Sequence, residues 1–437
     1  MGNRSTRRQT GRLRVVVALA ALWGMVAFAP AAIAAPGGLD GTFGSGGVVT
    51  TAVATAMAPT DAAVQPDGKI LVLVGISDPN GIATTAYGVL RYRGDGTLDP
   101  TFGTAGVVKV AFTNFINTPH ALVLQPDGKI VVAGETSASG TLSEFFLVRL
   151  TSTGALDGTF GSGGKVTTNF VGQQAGGVSN PATVVLLQPD GKIVAGGVAS
   201  QCAKCPHQTA LARYNPNGSL DTTFGAGGTS TANLGIGSPS ALGEDAAGDI
   251  VTTSGGVNVE FSAAGVAQPH VTPAPITVAT HPGFQINPTV YRADGDYLFA
   301  TTFAEGLRDI DAQVHRRTPN GGDDSTFTNP PFDFSDEGTV ATESPQAIGL
   351  AQDGRVLVAG IHTGAAGTTG HIAVARLNSN GSLDTTFGAG GAVTTAVAGQ
   401  GSVTLVQPDG KILVIGQGTS TDTADPFPVV LLRFLDQ

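Results

Sequence analysis

Short apolar runs, separated by Gly, Pro, Asp and Ser, recur along the whole chain. The segment Pro119–Thr168 contains four of them, at Ala121–Leu124, Ile130–Ala133, Phe145–Leu150 and Lys165–Thr168. Each run is rich in Val, Leu, Ile, Phe or Thr and is bounded by turn formers, which favours strands over helices. The pattern therefore predicts a unit of four short β-strands.

Two motifs join the strands of such a unit. QPDGKI begins at Gln65, Gln125, Gln188 and Gln407. Its proline presets φ and its glycine accepts a positive φ, so it predicts a tight turn between strands one and two, with the lysine exposed at the start of strand two. LDGTFG and its relatives join strands three and four, with an Asp that stabilises the turn and a Phe that plugs the corner. They begin at Leu39, Leu98, Leu156, Leu220 and Leu383. Calcium binding by the Asp and Asn of NPNGSLD is the alternative interpretation of this second motif.

The turn glycines give the period of the chain. Gly68, Gly128, Gly191, Gly248, Gly295, Gly354 and Gly410 are separated by 60, 63, 57, 47, 59 and 56 residues. Such self-similarity indicates seven copies of one unit. The fourth copy reads EDAAGDI and FSAAG, and the fifth reads YRADGDYL and DDSTF, so both depart from the motifs. Drift and specialisation would each produce this divergence.

The two ends of the repeat array complement each other. The array begins with a second half of a unit, Leu39–Thr51, and finishes with a first half, Gln407–Phe434. Pairing of Val48–Thr51 beside Val429–Phe434 would complete one sheet and cover the edges that an open array exposes. The sequence therefore predicts an all-β fold: a seven-bladed β-propeller of four-stranded blades, closed by its N-terminal and C-terminal strands, forming one domain over residues 35–437.

The first 34 residues differ from the repeats. Five arginines precede the apolar run Val15–Ala29, and Ala32-Ile33-Ala34 offers small residues for cleavage. This arrangement is typical of a secretory signal peptide cleaved near Ala34, by the Sec route. At about 15 residues the run is short for a membrane span of roughly 20, although an uncleaved anchor is the alternative. The expected location is secreted or periplasmic.

Removal of residues 1–34 would leave 403 residues with 18 basic and 33 acidic side chains, a net charge of −15. Nucleic acids and anionic membranes both require a positive surface, so this charge argues against both as partners. We expect a monomer without a cofactor.

The motifs together resemble a known family. The period of about sixty residues with LDxTFGxxGxVTT, QPDGKIxVxG and LxRYxxxGxLD is similar to the delta-60 repeat family of bacterial exported proteins. The resemblance covers nearly all of residues 35–437 and is weakest in units four and five. It implies a propeller-like repeat architecture and an extracellular or envelope setting, but no reaction and no catalytic residue.

Strand parity sorts the connections onto two edges of the units. Both motif turns share one edge, whereas the strand 2–3 loops and the links to the next unit share the other. These second connections differ between units and are the candidate binding loops: 77–85, 135–144, 201–208, 362–370 and 417–425. Residues near the start of each first strand are expected at the mouth of a central channel as a tentative ligand site, namely Asp61, His120, Thr183, Ser240, Thr289 and Gln346.

Cys202 and Cys205 lie in the strand 2–3 loop of the third unit. In an exported protein this pair is predicted to form a local disulfide. A zinc site is the alternative, for which His207 is the one obvious further ligand.

Every recurrent motif has a structural role, and no catalytic motif stands out. The sequence therefore favours a secreted, non-catalytic binding or structural propeller, whose partner is a protein or a small-molecule or glycan ligand on the variable loops. The alternative is a hydrolase or lactonase-type enzyme with a metal or polar site at the channel mouth, formed by Asp61, His120 and their neighbours.

Overall fold

A computed structural model describes most of the chain after the leader. The described residues are 35–53, 55–77, 84–112, 115–138, 143–170, 180–200, 207–233, 238–254, 257–268, 276–279, 289–304, 310–328, 330–334, 341–364, 369–419 and 427–436. All regular elements in these ranges are β-strands. None of these residues belongs to a helix long and apolar enough to cross a membrane.

The first three repeats are regular four-stranded antiparallel sheets. After β1 (Val48–Thr51), repeat 1 contains β2 (Ala56–Val64), β3 (Ile70–Ser77), β4 (Thr84–Tyr92) and β5 (Val107–Val110). Repeat 2 contains β6 (Phe115–Leu124), β7 (Ile130–Ala138), β8 (Ser143–Leu150) and β9 (Lys165–Thr168), so the four predicted strands are confirmed. Repeat 3 contains β10 (Ala182–Leu187), β11 (Ile193–Ala199), β12 (Gln208–Tyr214) and β13 (Thr229–Ala232).

Repeats 4 and 5 depart from the predicted four strands. Repeat 4 contains β14 (Ala241–Asp245), β15 (Ile250–Ser254), β16 (Val257–Phe261) and β17 (Ala267–Gln268), and a fifth strand, β18 (Ile276–Ala279), pairs with the free edge of β14. Repeat 5 contains β19 (Thr289–Tyr291), β20 (Tyr297–Ala304) and β21 (Ile310–Arg317). Among the residues described in this repeat, the fourth position holds a single bridge, from Phe332 to Ala312.

Repeat 6 and repeat 7 share one long strand. Repeat 6 contains β22 (Thr342–Leu350), β23 (Val356–Thr363), β24 (His371–Leu377) and the first half of β25 (Ala392–Val406). Repeat 7 contains the second half of β25, then β26 (Ile412–Gly418) and β27 (Val429–Phe434). Strand β1 completes repeat 7, because it pairs antiparallel with β27 from Val48↔Leu432 to Thr51↔Val429. The predicted pairing of these two end strands is therefore present.

The second strand of each regular repeat is buried on both faces. In β3, for example, every residue from Ile70 to Ile76 is buried. A strand covered by neighbouring sheets on both sides needs apolar residues at consecutive positions rather than at alternate ones. This explains the continuous runs ILVLV, IVVA and VLVA in the sequence.

The buried apolar residues form seven clusters among the described residues, and each cluster joins two repeats. Six of them link consecutive repeats. The seventh places Val72 and Leu90 of repeat 1 against Leu413 and Leu431 of repeat 7. The first strands also contact one another in chain order, from β2 to β25, and β25 contacts β2.

One buried arginine on the third strand fixes the corner of a repeat. In repeat 7, the Nε of Arg433 donates to Asp40 Oδ2 at 2.9 Å, and its guanidinium lies 4.4 Å from the centre of the Phe43 ring. The Thr42 hydroxyl and amide donate to the other oxygen of Asp40. Equivalent sets recur as Arg91–Asp99–Phe102, Arg149–Asp157–Phe160, Arg213–Asp221–Phe224, Arg316–Asp324–Phe327 and Arg376–Asp384–Phe387. We call this set the arginine clamp.

The same arginine also holds the next repeat. The second guanidinium nitrogen of Arg433 donates to the Gly94 carbonyl of repeat 1 at 2.6 Å, and that of Arg213 donates to Ala263 of repeat 4 at 2.7 Å. The other acceptors are the carbonyls of Ser152, Pro216, Ser379 and Asp436. Each clamp therefore stabilises one turn and one junction between repeats.

The motif lysine extends the clamp rather than standing fully exposed. Lys411 lies 3.3 Å from Asp40 and 3.1 Å from Asp409, and about a third of its side chain is exposed. Repeat 5 keeps a clamp on Arg316 although its motif has diverged. Repeat 4 does not: Glu260 stands at the arginine position and Asp249 at the lysine position.

We expect Arg433→Met to lower the free energy of unfolding by roughly 3–5 kcal/mol, because it leaves the buried Asp40 carboxylate unpaired. Urea unfolding followed by far-UV circular dichroism would measure the change. Arg93→Met is the matched control, since Arg93 is exposed and its replacement should change stability by less than about 0.5 kcal/mol. Equal effects of the two substitutions would contradict the role of the clamp.

Candidate functional site

A β-bulge interrupts the first strand at the same place in five repeats. The paired partners skip one residue, which is Thr60 in repeat 1 and His120 in repeat 2. Thr183, Gln346 and Ser402 are the skipped residues of repeats 3, 6 and 7. Because a bulge frees its extra residue from the ladder and redirects it, these five polar side chains occupy equivalent positions. We call them the bulge residues.

Proline and glycine explain why the bulge forms there. A proline such as Pro119 precedes the bulge residue in several repeats, and proline is tolerated at a bulge because it cannot donate to the ladder. Gly134 faces it on the next strand, where an added Cβ would lie 2.2 Å from the Thr118 carbonyl oxygen. Gly360 and Gly416 meet the same constraint, with distances of 2.1 and 2.0 Å. In repeats 2, 6 and 7 the glycine that ends the QPDGKIxVxG motif therefore leaves room for the bulged strand, whereas in repeat 1 Val74 takes this position and faces Pro59.

The residues predicted at the channel mouth fall into two groups. His120, Thr183 and Gln346 are bulge residues, and Ser240 directly precedes β14 at the corresponding place. Asp61 directly follows the bulge residue of repeat 1, and Thr289 is the first residue of β19; both are buried. In repeat 1 the bulge residue is Thr60. The structure brings Ser240 and Thr289 together, with their hydroxyls 3.2 Å apart. That these residues bind a ligand stays a prediction.

Asp61 is a buried acid at a position that is apolar in other repeats. Ala121, Ala241 and Ala347 occupy the corresponding place. The two carboxylate oxygens of Asp61 accept hydrogen bonds from the amides of Ala62 at 2.8 Å and of Leu122, in repeat 2, at 2.7 Å. Burial raises the pKa of Asp61 to about 8, against the lowering effect of these two amides.

Two bulge residues carry buried polar atoms without a hydrogen-bond partner among the described residues. These atoms are Thr60 Oγ1 and His120 Nε2, in adjacent repeats. Burial lowers the pKa of His120, and the charge of Glu135 partly opposes this effect. The imidazole is therefore held in its neutral form, in which one ring nitrogen donates and the other accepts.

Two further bulge residues, Thr183 and Gln346, and Ser240 at the corresponding place in repeat 4 have hydrogen-bond partners within the chain. The Thr183 hydroxyl donates to the Pro239 carbonyl at 2.8 Å, and Gln346 Nε2 donates to Ser344 Oγ at 2.8 Å. The Ser240 hydroxyl donates to the Thr253 carbonyl at 3.0 Å. Strand β18 lies on this side as well, since it pairs with β14 and contacts β10.

A buried pair of titratable side chains lies in repeat 6. Glu343 on β22 is fully buried, and its Oε1 lies 2.5 Å from Nδ1 of His362 on β23. Burial raises the pKa of Glu343 to about 7, although the His362 hydrogen bond opposes this. Repeat 2 has the neutral pair Asn117 and Thr136 in the same register, at 3.1 Å. The substitution of a neutral pair by an acid and an imidazole could not be recognised from the motif spacing, because neither position belongs to a motif.

The edge opposite the motif turns carries exposed apolar side chains. We call it the loop edge, because the strand 2–3 loops and the links to the next first strand lie there, and we call the opposite one the turn edge. Met57, Ile116, Phe303 and Phe427 lie at strand ends on the loop edge and are 39–49% exposed. Of the large apolar residues in the described ranges, Leu156 and Val266 are exposed on the turn edge, at 42% and 63%.

Several predicted features lie outside the described residues. These are Cys202 and Cys205, the signal peptide over residues 1–34, and the central parts of the candidate binding loops. His207 is described, but the disulfide and the zinc alternative are not tested by it. Within the described ranges no three His, Cys, Asp or Glu side chains are grouped as a metal site would require.

We expect Asp61→Ala, which installs the residue of repeats 2, 4 and 6, to change how stability depends on pH. Because the folded pKa of Asp61 is raised to about 8 from an ordinary 3.8, its contribution is complete below about pH 4 and is lost as the pH rises to about 8. The free energy of unfolding, measured in urea between pH 5 and 8, should therefore fall less steeply with pH in the variant than in the wild type. The two slopes should differ by at most about 1.4 kcal/mol per pH unit.

Asp157→Ala is the control, because the pKa of Asp157 is shifted in the opposite direction to that of Asp61. The hydrogen bond from the Thr159 hydroxyl lowers the pKa of Asp157 to about 2, with the Thr159 amide and the Arg149 charge overcoming desolvation. Its contribution is therefore present at neutral pH and is lost only on acidification below about pH 4. Parallel pH profiles for the wild type and Asp61→Ala would show that Asp61 ionises normally.

Comparisons with known proteins agree with these sheets. The family described as "Domain of unknown function (DUF5122) beta-propeller" matches residues 65–102, 125–160, 188–224, 351–387 and 407–426. These segments fall in repeats 1, 2, 3, 6 and 7, the repeats in which the motifs are best preserved. The comparison with curated proteins gives no match.

Solved structures resemble the chain only distantly. A protein of unknown function from Dyadobacter fermentans is 12% identical, with 89% of this chain and 99% of that chain covered and a TM-score of 0.43. The β-propeller domain of the Trilobed protease from Pyrococcus furiosus is 8% identical, with coverage of 88% and 95% and a TM-score of 0.40. An endo-arabinase from Bacteroides thetaiotaomicron is 10% identical, with coverage of 77% and 100% and a TM-score of 0.36. The family match and the four-stranded sheets both support a β-propeller repeat protein.

Proposed function

We propose that the chain is a secreted, non-catalytic β-propeller of seven blades that binds a partner through its loop edge. The observation that carries the binding function is the asymmetry between the two edges. On the turn edge, the repeated polar side chains serve the arginine clamps and the tight turns. On the loop edge, the connections differ in sequence between repeats, and four of the six exposed large apolar side chains of the described residues lie there.

Three contacts support a closed ring of seven blades. Strand β1 pairs with β27, so the two ends of the chain share one sheet. Arg433 in that sheet reaches the Gly94 carbonyl of repeat 1, as the other clamps reach their next repeats. The apolar cluster between repeats 1 and 7 resembles those between consecutive repeats. A closed ring leaves only short, protected sheet edges and gives the loop edge a fixed geometry.

The proposed location is extracellular or periplasmic, with residues 1–34 acting as a cleaved leader. The support comes from the sequence: arginines precede a short apolar run and small residues follow it. Disulfide formation between Cys202 and Cys205 would suit such an oxidising compartment.

Expression of the full chain in a Gram-negative host should yield a periplasmic protein that begins at Ala35. Intact mass spectrometry would show 403 residues rather than 437. Ala34→Glu should prevent cleavage, because the signal peptidase requires a small residue there. A cytoplasmic product with the full mass of 43.7 kDa would contradict export.

Binding can be tested by sedimentation of the purified protein with isolated bacterial cell envelopes. We expect the wild type to co-sediment and the double variant Met57→Glu/Ile116→Glu to lose most of this binding, since charges would replace the exposed apolar contacts. Leu156→Glu is the matched control, because Leu156 is 42% exposed but lies on the turn edge. Equal loss in the control, or no difference between wild type and double variant, would refute binding through the loop edge.

A further inference from the structure

The junction between repeats 5 and 6 contains a buried acid in contact with a buried imidazole. Oε1 of Glu343 lies 2.5 Å from Nδ1 of His362, and the two residues pair directly across β22 and β23. Glu343 is fully buried and His362 is 6% exposed. Because solvent does not screen a charge at such a site, the protonation state of the pair has a large effect on the free energy of the surrounding contacts.

The pair faces repeat 5. Side chains at alternate positions of a strand share one face, so His362 lies on the same face of β23 as Val356 and Val358. These two valines pack in one apolar cluster with Phe332 and Phe334 of repeat 5. The pair therefore points toward residues 330–334, which we call the closing segment of repeat 5.

The closing segment is held by few backbone hydrogen bonds. In repeat 2 the fourth strand, β9, pairs with β8 through four residues. Among the described residues of repeat 5, the corresponding contact is the bridge between Phe332 and Ala312, whose two backbone hydrogen bonds measure 2.9 and 3.0 Å. A segment with few such bonds opens at a low cost in free energy. A change in charge beside it therefore has a larger effect than beside a complete ladder.

Two further titratable side chains face the pair. Asp333 belongs to the closing segment, and His371 on β24 lies directly opposite His362. Burial raises the pKa of Glu343 to about 7, and the charge of Asp333 adds to this effect. The hydrogen bond and the charge of His362 oppose the rise in pKa, as does the amide of Phe334.

Among the described residues, the other strands packed against the pair present uncharged side chains to it. β20 and β21 turn Ala300, Ala312 and Val314 toward this junction, whereas Arg316 of β21 lies at the turn edge, in its clamp. On β25, Ala398 lies opposite His371. Asp333 and His371 are therefore the groups through which pH also acts on the pair.

The fold does not require a titratable pair at this register. In repeat 2, Asn117 and Thr136 occupy it, with Thr136 Oγ1 donating to Asn117 Oδ1 at 3.1 Å. Both pairs connect the first two strands of a repeat, but only the pair of repeat 6 changes its charge with pH. The acid and the imidazole therefore add a dependence on pH to a contact that a neutral pair also makes.

We propose that Glu343 and His362 form a pH-sensitive latch between repeats 5 and 6, which holds the closing segment while the pair retains its shared proton and loosens it when that proton is lost to solvent. Loss of the proton leaves a buried carboxylate beside a neutral imidazole, a state that burial penalises. The inference goes beyond the proposed binding function and does not depend on it.

The direction of the pH effect follows from Glu343. Its pKa in the folded chain, about 7, lies above the ordinary 4.5. Its contribution to stability is therefore complete below about pH 4.5 and is lost as the pH rises through about 7. The latch is closed in mildly acidic solution and looser in mildly alkaline solution.

Amide hydrogen exchange of the purified chain tests the latch, when it is measured by mass spectrometry from about pH 6 to about pH 9 and expressed as protection factors, which remove the intrinsic effect of pH on exchange. We expect the protection of Ala312 and Phe332 to fall above about pH 7, by at most about tenfold per pH unit. Glu343→Asn/His362→Thr, which installs the pair of repeat 2, should abolish this dependence. Asp333→Asn should move its midpoint to lower pH, because it removes a charge that raises the pKa of Glu343.

The exchange of Leu122 is the internal control, since its amide donates to Asp61 at a different junction and its pH dependence should be the same in every variant. Constant protection of Phe332 in the wild type, an unchanged pH dependence in the double variant, or an unshifted midpoint in Asp333→Asn would overturn the latch. If circular dichroism shows that the double variant does not fold, Glu343→Gln gives the same test with the His362 ring kept. Loss of envelope binding would affect the proposed function alone, because the exchange measurement needs no partner.

Discussion

The buried arginine of the third strand is the interaction on which the rest of the structure depends. A guanidinium removed from water costs several kcal/mol unless its donors are satisfied, and here they bond to a carboxylate, a threonine hydroxyl and a carbonyl of the next repeat. This requirement fixes the Asp, Thr and Phe of LDxTFG around it. Because one donor reaches the neighbouring repeat, the arginine also fixes the spacing between repeats, which a purely apolar core would leave less specific.

That constraint leaves the two edges with different freedom to vary. The turn edge repeats because each of its polar residues has a partner at a set distance, such as Lys411 with Asp40. The bulge also repeats, and glycines such as Gly134 and Gly360 face it, but the bulged residue itself is outside the ladder. Its identity can therefore change from threonine to histidine or glutamine without disturbing the sheet. A constant frame with variable inserts suits a protein that binds.

The sequence predicts the strands, both turns, the buried phenylalanines and the pairing of the end strands, because each depends on local pattern or on repetition. It does not predict the clamp, although the arginine recurs in every LxRYxxxGxLD copy, since its partners come from a distant turn and the next repeat. The bulge residues are predicted in part: the spacing after proline finds His120, Thr183 and Gln346, but in repeat 1 it points to Asp61 where the bulge selects Thr60. It misses Ser402, because no proline precedes that residue. Strand β18 and the pair of Glu343 and His362 leave no signal, because they depend on contacts outside the motifs.

Repeat 4 shows that the divergence is coordinated. An arginine lost alone would leave a buried aspartate unpaired, yet here the arginine, the lysine and the aspartate positions have changed together, to Glu260, Asp249 and Gln268. Burial and the neighbouring Asp249 raise the pKa of Glu260 to about 7. Glu260 therefore loses its charge more readily, which limits its repulsion with Asp249. The junction is held instead by Asn258, whose Nδ2 donates to the Pro319 carbonyl at 2.8 Å. At the other junctions an arginine donates to the carbonyl at this position. Random loss of single motif residues would not have produced this replacement, which therefore favours specialisation of repeat 4 over decay.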